Sequence, residues 1–305
     1  MIRFLLSRLG WMVATAWVVY TTSFFLMYLV PGGPYSRERR LPPILEQRYK
    51  ERYRLDDPWI QQYGESLWDA VRGDLRLSYK IEDFTVNEII AQGFPISASL
   101  GILAITFALG FGLTAGILSA SRRNSLVDVG FMGAAAVGVA VPSFVFASLS
   151  ITVFVFWLQI LPAGGWGTLQ QLLLPALCLA APVAAYIARL SRAGMLEVLN
   201  LDYIRTAYAK GLSERRVVLK HALRGAIMPV ISYLGPAAAG VLTGSVVIER
   251  IFNIPGLGTH FVEAAVQRDY TLALGMVMVY TVLLLGFNFL VDISYALIDP
   301  RVKLE

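Results

Sequence analysis

Apolar residues in this chain run in long blocks, and the polar residues are gathered between them. Residues 9–30 carry no charge, and a helix crosses a hydrocarbon core with about 20 apolar residues. Further blocks follow at 97–120, 129–161, 172–188, 230–248 and 271–298. Pro142 is expected to kink the third block, and Pro175 and Pro182 to break the fourth. The pattern predicts an all-α polytopic membrane protein with six transmembrane helices. A secretory signal peptide does not explain the first block. Its apolar run exceeds the usual 7–15 or so residues and no small-residue cleavage site follows, so it reads as a retained span. Pro31-Gly32-Gly33-Pro34 ends it.

The segments between the blocks carry local signals. Trp59, Ile60, Tyr63, Leu67, Trp68 and Val71 recur at helical spacing over 58–73, giving one apolar face. Thr85-Val86-Asn87-Glu88 has the form of a capping box. It is expected to open a short helix whose Ile89 and Ile90 lie on the membrane surface. Gly112 and Gly116 form a small-xxx-small pair suited to close helix packing. Pro162-Ala163-Gly164-Gly165-Trp166 reads as a tight turn with an interfacial tryptophan.

Composition agrees with the pattern: 56% of the 305 residues are hydrophobic and 15% charged, above and below the usual globular shares. The net charge of +5 matters only once it is placed. With residues 1–8, 121–128, 189–229 and 299–305 on one side, that side holds 14 Lys and Arg against 6 Asp and Glu. The other side holds 12 against 14, ten of its cations falling in the long 31–95 segment, whose length exempts it from the positive-inside rule. Six spans with both termini cytoplasmic is the expected topology. Nothing in this distribution points to nucleic acid. Cys178 is alone, so no disulfide forms within the chain, and its two histidines, His221 and His260, do not form a metal-ligand pattern.

The most charged segment outside the N-terminal third is 202–229, DYIRTAYAKGLSERRVVLKHALRGAIMP. Asp202 is expected to cap a short helix. Lys210 suits its last turn, and Gly211 the left-handed position after it. A second helix, from about Ser213, carries Arg215, Arg216, Lys220 and Arg224. The result is a rigid basic knob on the cytoplasmic side. The plainer alternative is a loop that only sets orientation.

The chain lacks an engine. None of its five lysines precedes Ser or Thr, so no Walker phosphate loop is present. Buried ionisable residues are scarce. Asp292 is the clear case, near the inner end of the last block, where a structural hydrogen bond suits it better than a proton relay. A proton-coupled carrier therefore does not fit. A pathway without an engine, plus a basic knob, implies a separate cytoplasmic protein that pushes on the knob.

Arg205-Thr206-Ala207-x-x-x-Gly211, followed by the basic helix and Met228-Pro229, resembles the coupling loop of ATP-binding-cassette importer permeases. Arg205 and Thr206 stand where the general pattern has Glu and Ala, and Arg224 where it has Pro, departures that fit the peptide and nickel branch. Leu55-Asp56-Asp57-Pro58, Gly73-Asp74-Leu75, Ile254-Pro255-Gly256-Leu257-Gly258, Arg268-Asp269-Tyr270 and Asp299-Pro300-Arg301 extend the resemblance over the whole chain. Arg39-Arg40-Leu41-Pro42-Pro43 and Ser232-Tyr233-Leu234-Gly235-Pro236 bring it closest to the B-type membrane subunits of oligopeptide importers. The resemblance implies a type I importer fold. It implies as partners a second homologous permease, two cytoplasmic ATPases that use ATP and Mg, an extracytoplasmic peptide-binding protein and membrane lipid. The chain itself would hold no cofactor, no metal and no catalytic residue. The coupling role would fall on Arg205, Thr206, Ala207, Gly211, Leu212, Ser213, Arg215 and Arg216. The implied organisation is a first span at 1–30, an extracytoplasmic region at 31–92, a permease domain at 93–298 and a tail at 299–305.

The sequence leaves two alternatives. One is a permease of the same family for dipeptides or a nickel chelate. The other, from a different class, is a membrane scaffold or signalling protein whose basic loop binds anionic lipid or a regulator. The connection over 249–270 is longer than a turn needs. Asn253, Pro255, Gly256, Leu257 and Gly258 within it read either as interfacial anchors or as an outer gate, a re-entrant segment covering the mouth of a pathway.

Overall fold

The computed structural model describes residues 2–30, 43–54 and 56–298. Pro31-Gly32-Gly33-Pro34, Leu55, Arg39–Pro42 of the 39–43 motif and the 299–305 tail lie outside the described residues. The chain folds as α1 (Ile2–Leu29), α2 (Pro43–Tyr53), α3 (Trp59–Val71), α4 (Val86–Ser121), α5 (Leu126–Ala140), α6 (Ser143–Ile151) and α7 (Leu169–Leu199). Then come α8 (Asp202–Ala209), α9 (Glu214–Arg216), α10 (Leu223–Ala226), α11 (Met228–Leu242), α12 (Val246–Ile251), α13 (Leu257–Gln267) and α14 (Tyr270–Ile298). Among the described residues, five stretches are long and apolar enough to cross a membrane: Leu5–Leu29, Val86–Ser121, Leu169–Leu199, Met228–Ile251 and Tyr270–Ser294. The pair Leu126–Ala140 and Ser143–Trp157, bent by 108°, is apolar enough when taken together and makes six if counted as one broken span.

The expected elements exist, but several boundaries move. Pro142 breaks the third span rather than kinking it. Its ψ of 143° is extended, and proline has no amide to carry the helical ladder across. Pro175 and Pro182, by contrast, sit inside one continuous helix of 31 residues, packed on several neighbours, and proline is tolerated within a membrane helix that neighbouring helices support. That helix also takes in Arg189 and Arg192, read from sequence as loop. The capping box is present: the Glu88 carboxylate accepts from the Thr85 amide at 2.8 Å, and Thr85 Oγ1 accepts from the Glu88 amide at 3.2 Å. It opens the second span itself and not a separate surface helix, so Ile89 is a core residue. The fifth span pauses between α11 and α12.

The chain divides into two compact units. One comprises Ser97–Pro255 and the described residues from Leu283 onward. Its hub is α7, which packs against α5, α6, α10, α11 and α12. The glycine pair performs as its spacing implies: a Cβ on Gly112 would lie 2.7 Å from the Ala184 carbonyl oxygen, and Gly116 meets Ala188 and Ser191 more closely still. Only residues without a side chain let α4 and α7 approach this far.

The other unit comprises the described residues of Ile2–Ile96, with Gly256–Val282. Within it α3 lies on α1. Tyr63 Oη meets Trp17 Nε1 at 3.1 Å and Thr21 Oγ1 at 2.8 Å, and Ser66 Oγ meets Tyr20 Oη at 2.6 Å. The aromatic side of α3 is thus used, whereas Ile60, Trp68 and Val71 of the same apolar set stay exposed. A second core joins Val86 and Ile89 to Leu257, Ala264, Leu272, Ala273 and Met276.

Candidate functional site

The 202–229 segment folds as a capped helix pinned to the core. Leu201, not Asp202, is the N-cap, its backbone extended and without a side-chain cap bond. Asp202 is the first helical residue, 97% exposed, with Arg205 Nη1 at 3.5 Å. The carboxylate still favours the positive end of the helix dipole from there. The other end closes as a Schellman motif. Leu212 N donates to Ala207 O at 3.3 Å and Gly211 N to Tyr208 O at 2.9 Å. Gly211 takes φ +75°, which L side chains adopt only with strain. The usual hydrophobic contact of that motif is present as well, since Leu212 packs on the cluster that contains Ala207.

The helix is two-faced. Ile204 and Ala207 point into a cluster with Ala120, Met195, Val198, Val217, Val218, Ala222 and Ala226. Arg205, Thr206, Tyr208, Lys210, Gly211, Ser213, Arg215 and Arg216 are exposed. The residues singled out from sequence therefore fall into two groups. Ala207 and Leu212 anchor the knob, and the others present it. After Ser213, α9 runs through a wider turn at Val217–Ala222 into α10, with Lys220 and Arg224 on the exposed side. Gly194 on α7 admits α10, for a Cβ there would collide with the Ala226 carbonyl.

Beside this cluster lies an ion pair that the sequence reading missed. Arg192 Nε donates to Asp128 Oδ1 and Nη2 to Oδ2, both at 2.7 Å, and Asp128 is only 4% exposed. Ser119 Oγ also donates to Oδ1, and Asn124 N donates to Oδ2 at 2.9 Å. Asp128 stands three residues after Ser125, the N-cap of α5, and that spacing was the available signal. The sequence reading also placed Glu249 in an outer connection. It is fully buried in α12, where it accepts from Ser97 Oγ at 2.7 Å. The membrane unit is thus richer in buried carboxylate than Asp292 alone, which is half-buried in α14.

The 253–258 segment is a turn between helices rather than an open loop. Asn253 has φ +51° and Ile254 N returns to Glu249 O at 2.8 Å. Asn253 and Pro255 are exposed, while Gly256, Leu257 and Gly258 are buried. Gly256 has φ −98°, an ordinary conformation for any residue, and Leu257 packs against Gly93.

In the other unit, Asp269 organises the start of α14. Its carboxylate accepts from Ser78 Oγ, from Tyr79 N and Lys80 N at 3.1 Å each, and from Leu272 N at 3.1 Å. This explains the Arg268-Asp269-Tyr270 motif in structural terms. A cleft of about 470 Å³ nearby is lined by Arg54, Glu65, Asp69, Arg76 and Tyr79. Arg76 pairs with Asp69 at 2.7 Å and Arg54 with Glu65 at 2.9 Å. Burial pushes the Tyr79 phenol up to about 12. Among the described residues no group of three or more His, Cys, Asp or Glu is placed to hold a metal.

Apolar spans together with a pinned, two-faced basic knob define a polytopic helical membrane protein of the transport-permease class. Residues 112–304 match the family described as binding-protein-dependent transport system inner membrane component, and the chain belongs to that family. It is 45% identical over 305 residues to the oligopeptide transport system permease protein OppB of Haemophilus influenzae, covering 99% of this chain and 100% of that one. It is 43% identical, with the same coverage, to OppB of Escherichia coli K12. To the dipeptide transport system permease protein DppB of Bacillus subtilis it is 44% identical, covering 100% of this chain and 99% of that one. Among solved structures, the crystal structure of an amino acid ABC transporter with histidines matches at a TM-score of 0.51 and 18% identity, over 68% of this chain and 92% of that chain. That likeness supports the fold, the type I importer permease, and nothing finer.

Proposed function

We propose that this chain is one of two membrane permeases of an ATP-driven oligopeptide importer. With a second, homologous permease it forms the translocation pathway. Two cytoplasmic ATPases use ATP and Mg, and this chain has no ATPase site of its own. An extracytoplasmic binding protein delivers the peptide. The observation that carries the reading is the Gly211-closed knob, whose inner face is locked into the helical core while Arg205, Thr206, Ser213, Arg215 and Arg216 face outward. A segment built this way transmits a push, whereas a loop that only sets orientation needs no core. The names of the full-length relatives support peptides as cargo. Oligopeptide and dipeptide relatives are similar to almost the same degree, so the dipeptide reading is the runner-up.

In this reading the termini are cytoplasmic. Residues 1–30 form the first span, 31–92 the extracytoplasmic region, 93–298 the permease domain and 299–305 the tail. The 253–258 turn is the outer gate. Its test is Gly256→Trp, which should raise ATP hydrolysis without binding protein and lower net uptake. If both are unchanged, the segment is only an anchor.

The function is tested by reconstituting the chain with a second permease, two ATPases and a peptide-binding protein, and following labelled peptides. ATP-dependent uptake of peptides of three or more residues is expected. Exchanging the binding protein should change which peptides enter, because the spans offer few convergent polar groups. Uptake restricted to dipeptides, or specificity that stays with the permease, would contradict the proposal.

A further inference from the structure

We propose that Asp128 and Arg192 are positioning residues for coupling. Their ion pair makes the end of α4, the start of α5 and the second half of α7 one body with the basic knob. A displacement of the knob then reaches the bent α5–α6 span. The inference rests on the reading of 202–229 as the ATPase-docking segment.

The chain of contacts is short. Two parallel bonds of 2.7 Å join the guanidinium to the carboxylate, a fork that fixes orientation as well as distance. Asp128 further accepts from Ser119 at the end of α4 and from Asn124 in the α4–α5 turn. Its two oxygens are thus shared among three elements. On α7, two residues beyond Arg192, Gly194 admits the Ala226 backbone of α10. Met195 and Val198 follow, in the cluster that also holds Ile204 and Ala207. Ala120, next to Ser119, belongs to that cluster too. The stretch of α7 from Arg192 to Val198, about two turns, is therefore gripped by α5 through charge and carries the knob through packing. From Asp128, α5 runs to the 108° bend at Pro142.

A purely structural role makes a different prediction. Removing one partner leaves a buried charge unpaired, which is costly, whereas replacing both by neutral groups of similar size often restores stability. If the pair only completes the fold, the doubly neutral protein should be normal in every respect. If the pair transmits, stability returns without coupling.

The experiment compares reconstituted complexes carrying Asp128→Asn, Arg192→Gln, both together, and Arg192→Lys, which keeps the charge but loses the fork. It reads thermal stability, ATP hydrolysed per peptide imported, and cross-linking of a cysteine at Ser213 to the ATPases. The single neutral variants should lose stability and the double should regain it. ATP consumed per peptide should rise in the double by roughly twofold to thirtyfold, the range over which residues between two sites modulate coupling. It should rise less in Arg192→Lys. The Ser213 cross-link should persist throughout. Normal stoichiometry in both the double and Arg192→Lys would overturn the inference while the docking reading stands. Absence of the cross-link in the unmodified complex would remove the docking reading, and this inference with it.

Discussion

Gly194 and Ala226 meet backbone to backbone: the space where a Gly194 side chain would begin is taken by the Ala226 carbonyl. This contact seats α10, and with it the knob, on α7. Gly194→Val should therefore unseat the knob. Overpacking at such a contact costs about 1–3 kcal/mol, read as a lowered midpoint in thermal unfolding of the purified complex. Gly133→Val is the matched control, since nothing lies within 4 Å of a Cβ at Gly133. Equal midpoints for the two variants would refute the assignment of Gly194 as the seat.

Asp269 predicts a second effect, in the other unit. Asp269→Asn keeps the shape but turns an acceptor-only group into one that also presents donors, facing the amides of Tyr79 and Lys80. Leaving buried donors unsatisfied costs about 1–3 kcal/mol. The 78–80 turn should lose protection in amide hydrogen exchange, while helices of the α7 unit keep theirs. Unchanged exchange at 79 and 80 would show that the carboxylate does not hold the turn.

Topology gives a third test. A cysteine at Asp56, which is exposed, should be labelled only from outside the cell, and one at Ser213 only from inside. Ser66 is a poorer probe, because its hydroxyl is engaged by Tyr20 at 2.6 Å. Cys178 is fully buried and should stay silent. Labelling of both positions from one side would overturn the six-span arrangement.

Much of this was legible in the sequence, because a bilayer imposes a length and a polarity that the chain must write out. The six apolar blocks, the Thr85–Glu88 capping box, the Gly112–Gly116 pair and the left-handed Gly211 are all short-range signals. What escaped depended on partners far along the chain. Pro175 and Pro182 look like breaks until α7 is seen to be held by its neighbours. Asp128 looks like a loop residue until Arg192, 64 positions later, closes on it. Glu249 looks like the start of a connection until Ser97 is found beside it. Ala207 belonged to a motif whose role suggested a surface, yet its position on the helix, three residues from Ile204, buries it. Long-range pairing of charges and the end of a span are set by tertiary packing, and periodicity does not report either.

The central claim is that the Gly211-closed knob carries the push of the ATPases into this chain. It is tested most directly by Gly211→Val. The change opens no cavity and meets no neighbour, for nothing lies within 4 Å of a Cβ there. It acts on the φ of +75° alone, a strain of order 1–3 kcal/mol for a non-glycine residue. The measurement is binding-protein-stimulated ATP hydrolysis and peptide uptake in the same reconstituted vesicles. The account predicts an assembled complex in the membrane, with uptake lost and stimulation of hydrolysis lost with it. Normal uptake by the Gly211→Val complex would contradict it.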